Sequence, residues 1–160
     1  DTREGAPLCR WITGDEDVVD VMPLAEEILL FTNPWYEEAI ATASPYRLNE
    51  NITIRLPSAA AFLATKFAAY ADRGNGDLFG SHDIEDIIAV VAGRSTIVAD
   101  VAGATPTMRH WLAAQVQQFL ILDDAPDAIA GALPDSRLIP ELIQRTVNRF
   151  EQIANLTTTA

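Results

Sequence analysis

A chain of 160 residues with 49% hydrophobic and 21% charged side chains has the size and balance of one globular domain. Eleven basic against 23 acidic side chains give a net charge of -12, which argues against non-specific nucleic-acid binding but leaves nucleotides open, because a divalent cation held by carboxylates carries positive charge to phosphates. The single Cys9 excludes an internal disulfide, no apolar run approaches the roughly 20 residues that span a bilayer, and the start Asp1-Thr2-Arg3-Glu4-Gly5 is no signal peptide; a cytoplasmic protein with no membrane partner is expected.

In chain order, residues 8–12 and 18–22 are β-prone runs separated by a polar stretch containing Gly14, which reads as a hairpin. Pro23 ends the second run, residues 24–31 form a short apolar segment, and Asn33-Pro34 carries the cap-plus-proline signature of a helix through residue 43. Residues 52–56 read as a third strand, stopped by Pro57.

From Ser58 onward the period becomes helical. Ser58 is an N-cap for a helix carrying Phe62, Leu63, Lys66, Phe67, Tyr70 and Arg73, closed by Gly74. A turn-rich loop over 74–81 follows, and Asp83 opens a helix ending near Gly93. Ser95 is a cap for a shorter helix to Ala102, and Thr105-Pro106 starts another to about Leu122. Asp124 and Pro126 begin a short helix before Pro134, and a last helix runs over 138–156, with 157–159 expected to fray. The predicted fold is α+β and a single domain over 1–160: a small mixed or antiparallel sheet within 1–57, then a helical bundle over 58–156.

Three groups of residues bear on chemistry. If the second strand alternates, Asp20 shares a face with Val18 and Met22, where an unpaired carboxylate is costly; a metal ion, a Lys or Arg, or backbone donors would each compensate it. Asp83 and Asp86 stand three apart in the first turn of a helix, at the positive end of its dipole, with Lys66 on the preceding helix facing the same loop. They either meet in one ion-pair cluster or are separately solvated. Arg73 and His82 border that loop; neither His82 nor His110 has the company a metal ligand needs. The third group, Asp15-Glu16-Asp17, imitates a metal-binding Asp-x-Asp pair but sits at a hairpin tip, too loose to aim two carboxylates at one ion. The loop over 74–80 lacks both the P-loop and the dinucleotide fingerprint.

Three stretches together, Val-Asp-Val-Met-Pro (19–23), Phe-Leu-Ala-Thr-Lys-Phe-Ala-Ala-Tyr-Ala-Asp-Arg-Gly (62–74) and His-Asp-Ile-Glu-Asp-Ile (82–87), resemble the nucleotidyltransferase-fold proteins of the AbiEii abortive-infection toxin group. The resemblance covers roughly residues 8–95. It implies that Asp20 is a carboxylate of a Mg²⁺ and NTP site, Lys66 the helix lysine that contacts nucleotide, Asp83 and Asp86 the paired acids, and Arg73 a further cofactor contact. Tyr70 stands where some relatives carry a second lysine. The family's Asp-x-Asp strand is expected upstream of residue 8, where only seven residues stand, so two-metal phosphoryl transfer lacks its other carboxylates. The expected function is therefore nucleotidyl transfer from Mg-NTP in an N-terminally complete form. The competing expectation is a non-catalytic or truncated binding module, toxin-antitoxin-like, acting through a protein partner or a homo-oligomer.

Overall fold

The computed structural model of the chain describes residues 8–24, 32–74, 76–133 and 140–157. Its architecture is α+β, with two small ribbons preceding a helical bundle. Strands β1 (Arg10–Ile12) and β2 (Val18–Asp20) pair antiparallel, with Arg10 opposite Asp20, Trp11 opposite Val19 and Ile12 opposite Val18. The connecting loop takes Glu16 through a positive φ of 65°; the Thr13 hydroxyl accepts from the Asp17 amide, and the Thr13 amide donates to the Asp17 carbonyl. Both strands are shorter than expected from the apolar runs.

The second ribbon departs further from the sequence pattern. Helix α1 is confined to Tyr36–Ala41 instead of running from Asn33 to Ala43. Asn33 is buried and bonds locally and at long range: its Oδ1 accepts from the Trp35 amide and its Nδ2 donates to the Thr65 carbonyl. That side chain therefore makes an Asx turn ahead of the helix, and the helix begins later. After α1 the chain forms β3 (Ser44–Arg47), which pairs with β4 (Thr53–Leu56) from Ser44 opposite Leu56 to Arg47 opposite Thr53. The expected third strand thus joins a new neighbour and not the first hairpin, so the described residues hold two two-stranded ribbons in place of one sheet. Pro45 within β3 hid that strand, since proline is tolerated only at edges, and a two-stranded ribbon has nothing but edges.

The helices follow the sequence closely: α2 (Ala59–Arg73), α3 (His82–Gly93), α4 (Ile97–Ala102), α5 (Pro106–Leu120), α6 (Ala125–Ala132) and α7 (Pro140–Ala154), followed by a 3₁₀ turn (Asn155–Thr157). Ser58 and Thr105 cap α2 and α5, their hydroxyls accepting from the Ala61 and Met108 amides. Two caps differ: α3 starts at His82 under Ser81, whose hydroxyl accepts from the Ile84 amide, and α4 starts after Thr96 and not Ser95. The expected segment over 25–31, Pro134, Leu138 and residues 158–159 lie outside the described residues.

The core lies among α2, α3, α5 and α7. Leu63, Phe67, Ile88, Leu112 and Phe150 are buried there, and the Phe119 and Phe150 rings meet at 5.3 Å with a 49° tilt. Trp35, at the entry to α1, packs against Trp111 of α5 at 5.0 Å. This contact ties the ribbon-bearing part of the chain to the bundle. In α7, Thr146 reaches the core because its hydroxyl donates to the Leu142 carbonyl, which satisfies the polar group locally.

Of the helices that end without a basic residue in the last turn, α3, α4 and α7 are capped by side chains of a neighbouring helix. Arg149 of α7 donates to the Val91 and Ala92 carbonyls at 2.8 and 2.6 Å, Arg109 of α5 to Ala102 at 3.0 Å, and Gln117 of α5 to Ala154 at 2.7 Å. Carbonyls that a helix leaves unpaired are thus matched across the bundle. Phe150 is fully buried, so Phe150→Ala is expected to cost about 3–5 kcal/mol through lost transfer energy and the cavity left behind. Urea unfolding followed by circular dichroism checks this, and a loss under about 1 kcal/mol would mean the bundle collapses around the gap.

Candidate functional site

Helix α2 carries Lys66 and Arg73 seven residues apart, two turns along one side. Opposite them, the Ser81 cap fixes the first turn of α3 and sets Asp83 at its start, where it is only 6% exposed. Lys66 Nζ donates to Asp83 Oδ1 at 3.2 Å and also pairs with Asp86. Arg73 donates through Nε to Asp83 Oδ2 at 3.0 Å and through Nη2 to Oδ1 at 3.1 Å. Both oxygens of a nearly buried carboxylate are thereby matched by two cations, the condition under which burying a charge is tolerable. Burial works against the Lys66 charge, but hydrogen bonds to Asp86 and then Asp83 outweigh it and raise the ammonium above its usual range. Lys66 also stands 5.6 Å from the centre of the Phe62 ring. Of the two expectations for these residues, the single cluster is the one observed.

The loop between the helices is shaped by Asp77, whose Oδ1 accepts from the Phe79 and Gly80 amides at 3.0 and 2.8 Å. Gly76 takes φ 75°, a conformation that L side chains resist. Beside the cluster the loop leaves an open polar cavity of about 450 Å³ bordered by Lys66, Arg73, Asp77 and His82. His82 is fully solvated apart from a 2.8 Å contact between Nδ1 and Glu85, one turn along α3. That hydrogen bond raises the His82 pKa above 6.5. Tyr36 of α1 lies nearby; burial raises its hydroxyl's pKa, and the fields of Arg73, Asp83 and Lys66 reach it.

Asp20 is not part of this cluster. The register of the first ribbon places it opposite Arg10, which donates through Nε to Oδ1 at 2.9 Å and through Nη2 to Oδ2 at 2.8 Å. The bond to Arg10 lowers the Asp20 pKa and raises that of Arg10. Of the three ways to compensate Asp20, the arginine is the one present. Arg10 was not singled out from the sequence; the signal for it is that strands of equal length joined by residues 13–17 put position 10 across from position 20. Asp20 forms no hydrogen bond or ion pair with Lys66, Arg73, Asp83 or Asp86, and it is exposed. Cys9 is a free, half-buried thiol beside β1, and Asp15, Glu16 and Asp17 are exposed at the hairpin tip as expected.

A Mg²⁺ ion demands near-octahedral oxygen ligands, usually from one or two free carboxylates and phosphates. Here Asp20 is in a bidentate arginine pair and Asp83 is enclosed by Lys66 and Arg73, and among the described residues no group of three or more His, Cys, Asp or Glu converges on one point. In the described residues Asp83 and Asp86 are thus engaged with Lys66 and Arg73 as an ion-pair lock between α2 and α3. Compared with known proteins, the chain matches no family model, no curated protein and no solved structure. No helix among the described residues is long and apolar enough to cross a membrane.

Two outcomes follow from this geometry. Asp83→Asn should lower stability by about 2–3 kcal/mol, the scale of charge-assisted hydrogen bonds lost in a buried setting, whereas Asp20→Ala should leave the urea midpoint where it is, since exposed pairs contribute little. For His82 the folded pKa exceeds the unfolded one, so its small contribution is complete below pH 6.5 and is lost as pH rises through the folded value. An NMR titration should place His82 above 6.5 in the wild type and return it toward 6.5 in Glu85→Gln; the same pKa in both proteins would remove Glu85 as the cause.

Proposed function

We propose that this chain is a non-catalytic binding module on a nucleotidyltransferase-like plan, a regulatory or toxin-antitoxin-like partner in which Lys66, Arg73, Asp83 and Asp86 join two helices. The observation that carries the proposal is the engagement of Asp83: its two oxygens receive three hydrogen bonds from Lys66 and Arg73, most of the roughly four that a carboxylate accepts. A carboxylate so engaged is committed first to the tie between α2 and α3. Trp11, Val19 and Val21, exposed on the first ribbon, support a role in protein contact.

A second reading has its own support. Lys66, Asp83 and Asp86 do meet, in the order the AbiEii-like resemblance implies, beside a polar cavity that Arg73 also borders. On that reading a complete form transfers a nucleotidyl group from Mg-NTP, with Lys66 and Arg73 neutralising phosphate charge. Calorimetric titration of each Mg²⁺-NTP into the chain separates the two. The binding-module reading expects no saturable heat; saturable binding that is lost in Asp20→Ala would overturn it in favour of the nucleotidyltransferase reading.

A further inference from the structure

A second cavity, of about 310 Å³, opens between α2, the start of α3 and the end of α5. Its size falls within the range that encloses small ligands. Three aromatic rings line it, Phe67, Tyr70 and Phe119, together with Ile84. Phe67, Ile84 and Phe119 are buried and belong to the core, so the floor is made of packed side chains on three different helices. The Tyr70 ring is held over Gly74, where a Cβ would come within 2.3 Å of it.

The polar groups in the lining are uncharged. Gln115 and Gln118 lie one turn apart at the rim, and neither side-chain amide nor the Tyr70 hydroxyl makes a hydrogen bond among the described residues. Burial, with the nearby Asp77 charge second, raises the Tyr70 pKa, so this hydroxyl keeps its proton at neutral pH. Among the described residues no Lys, Arg, Asp or Glu lines the cavity, although the chain as a whole carries a net charge of -12. Aromatic walls reward a flat ring. Unpaired amides and a hydroxyl reward hydrogen-bonding atoms on its edge, and the acidic surroundings without a lining cation disfavour an anion.

We propose that the cavity between α2, α3 and α5 is a binding site for a neutral, planar heteroaromatic molecule of one or two fused rings, its face against Phe67, Tyr70 and Phe119 and its edge at Gln115 and Gln118. This site is independent of the ion-pair cluster and of any role for Asp20. It uses the bundle, not the ribbons.

The test is an NMR titration of the full chain with indole as the probe and benzoate as the anionic control. The proposal expects saturable shifts confined to residues around the cavity, intermolecular NOEs from indole to the Phe67, Tyr70 and Phe119 rings, and benzoate at least tenfold weaker. Ala71, at the exposed edge of the lining, offers a blocking variant: Ala71→Phe should weaken indole at least tenfold while the remaining spectrum is unchanged. Indole shifts that do not saturate, NOEs to other residues, or benzoate binding as well as indole would each overturn the proposal. The NOEs decide the matter even if Ala71→Phe fails to fold.

Discussion

The buried carboxylate of Asp83 is the constraint on which the relation between α2 and α3 depends. At 6% exposure it requires cations, and both come from one neighbour, Lys66 and Arg73 of α2. Satisfying it fixes the rotation of α2 about its axis, because only one face presents two cations seven residues apart. With that face turned to Asp83, Leu63 and Phe67 point into the core and Tyr70 and Phe67 wall the cavity toward α5. Electrostatic satisfaction and apolar burial on neighbouring faces of the helix are thus the same rotational choice.

The bundle applies the same logic to its backbone. Short helices expose a large share of unpaired carbonyls, since each end leaves four groups without intrahelical partners. Arg149, Arg109 and Gln117 serve the ends of α3, α4 and α7 from neighbouring helices. In a chain with only 11 lysines and arginines, four arginines, Arg47, Arg55, Arg109 and Arg149, donate to carbonyls, and Arg73 with Lys66 serves Asp83.

How legible this was in the sequence depended on the range of the interaction. The helices were readable because period and cap lie within a few residues: Ser58 and Thr105 announce α2 and α5 directly. The meeting of Lys66, Asp83 and Asp86 was readable because one short loop joins their helices. The second ribbon was not, because Pro45 masks a strand and the Asn33 side chain spends its hydrogen bonds on an Asx turn and on Thr65, a partner 32 positions away. Asp20 illustrates a different gap. Strand alternation suggested an apolar face that needs a compensating partner for Asp20, but Val18 and Asp20 are both exposed on a free-standing ribbon, and the register sets Arg10 opposite Asp20.

A division of labour follows from where satisfaction is complete. In the bundle, the apolar residues of α2, α3, α5 and α7 interlock and the buried charge is matched. In the ribbons, Trp11, Val18, Val19, Tyr46 and Leu56 stay exposed, and a two-stranded ribbon alone in water is marginal. The Trp35–Trp111 contact is one of the few places where the ribbon-bearing half meets the bundle through large buried side chains. Chemistry that needs several groups held within a fraction of an ångström belongs on rigid elements. The first ribbon carries Asp20 on its least supported element, while the rigid bundle devotes Asp83 to its own assembly. Those two placements keep the exposed Asp20 pair on a ribbon apart from the buried Asp83 cluster in the bundle.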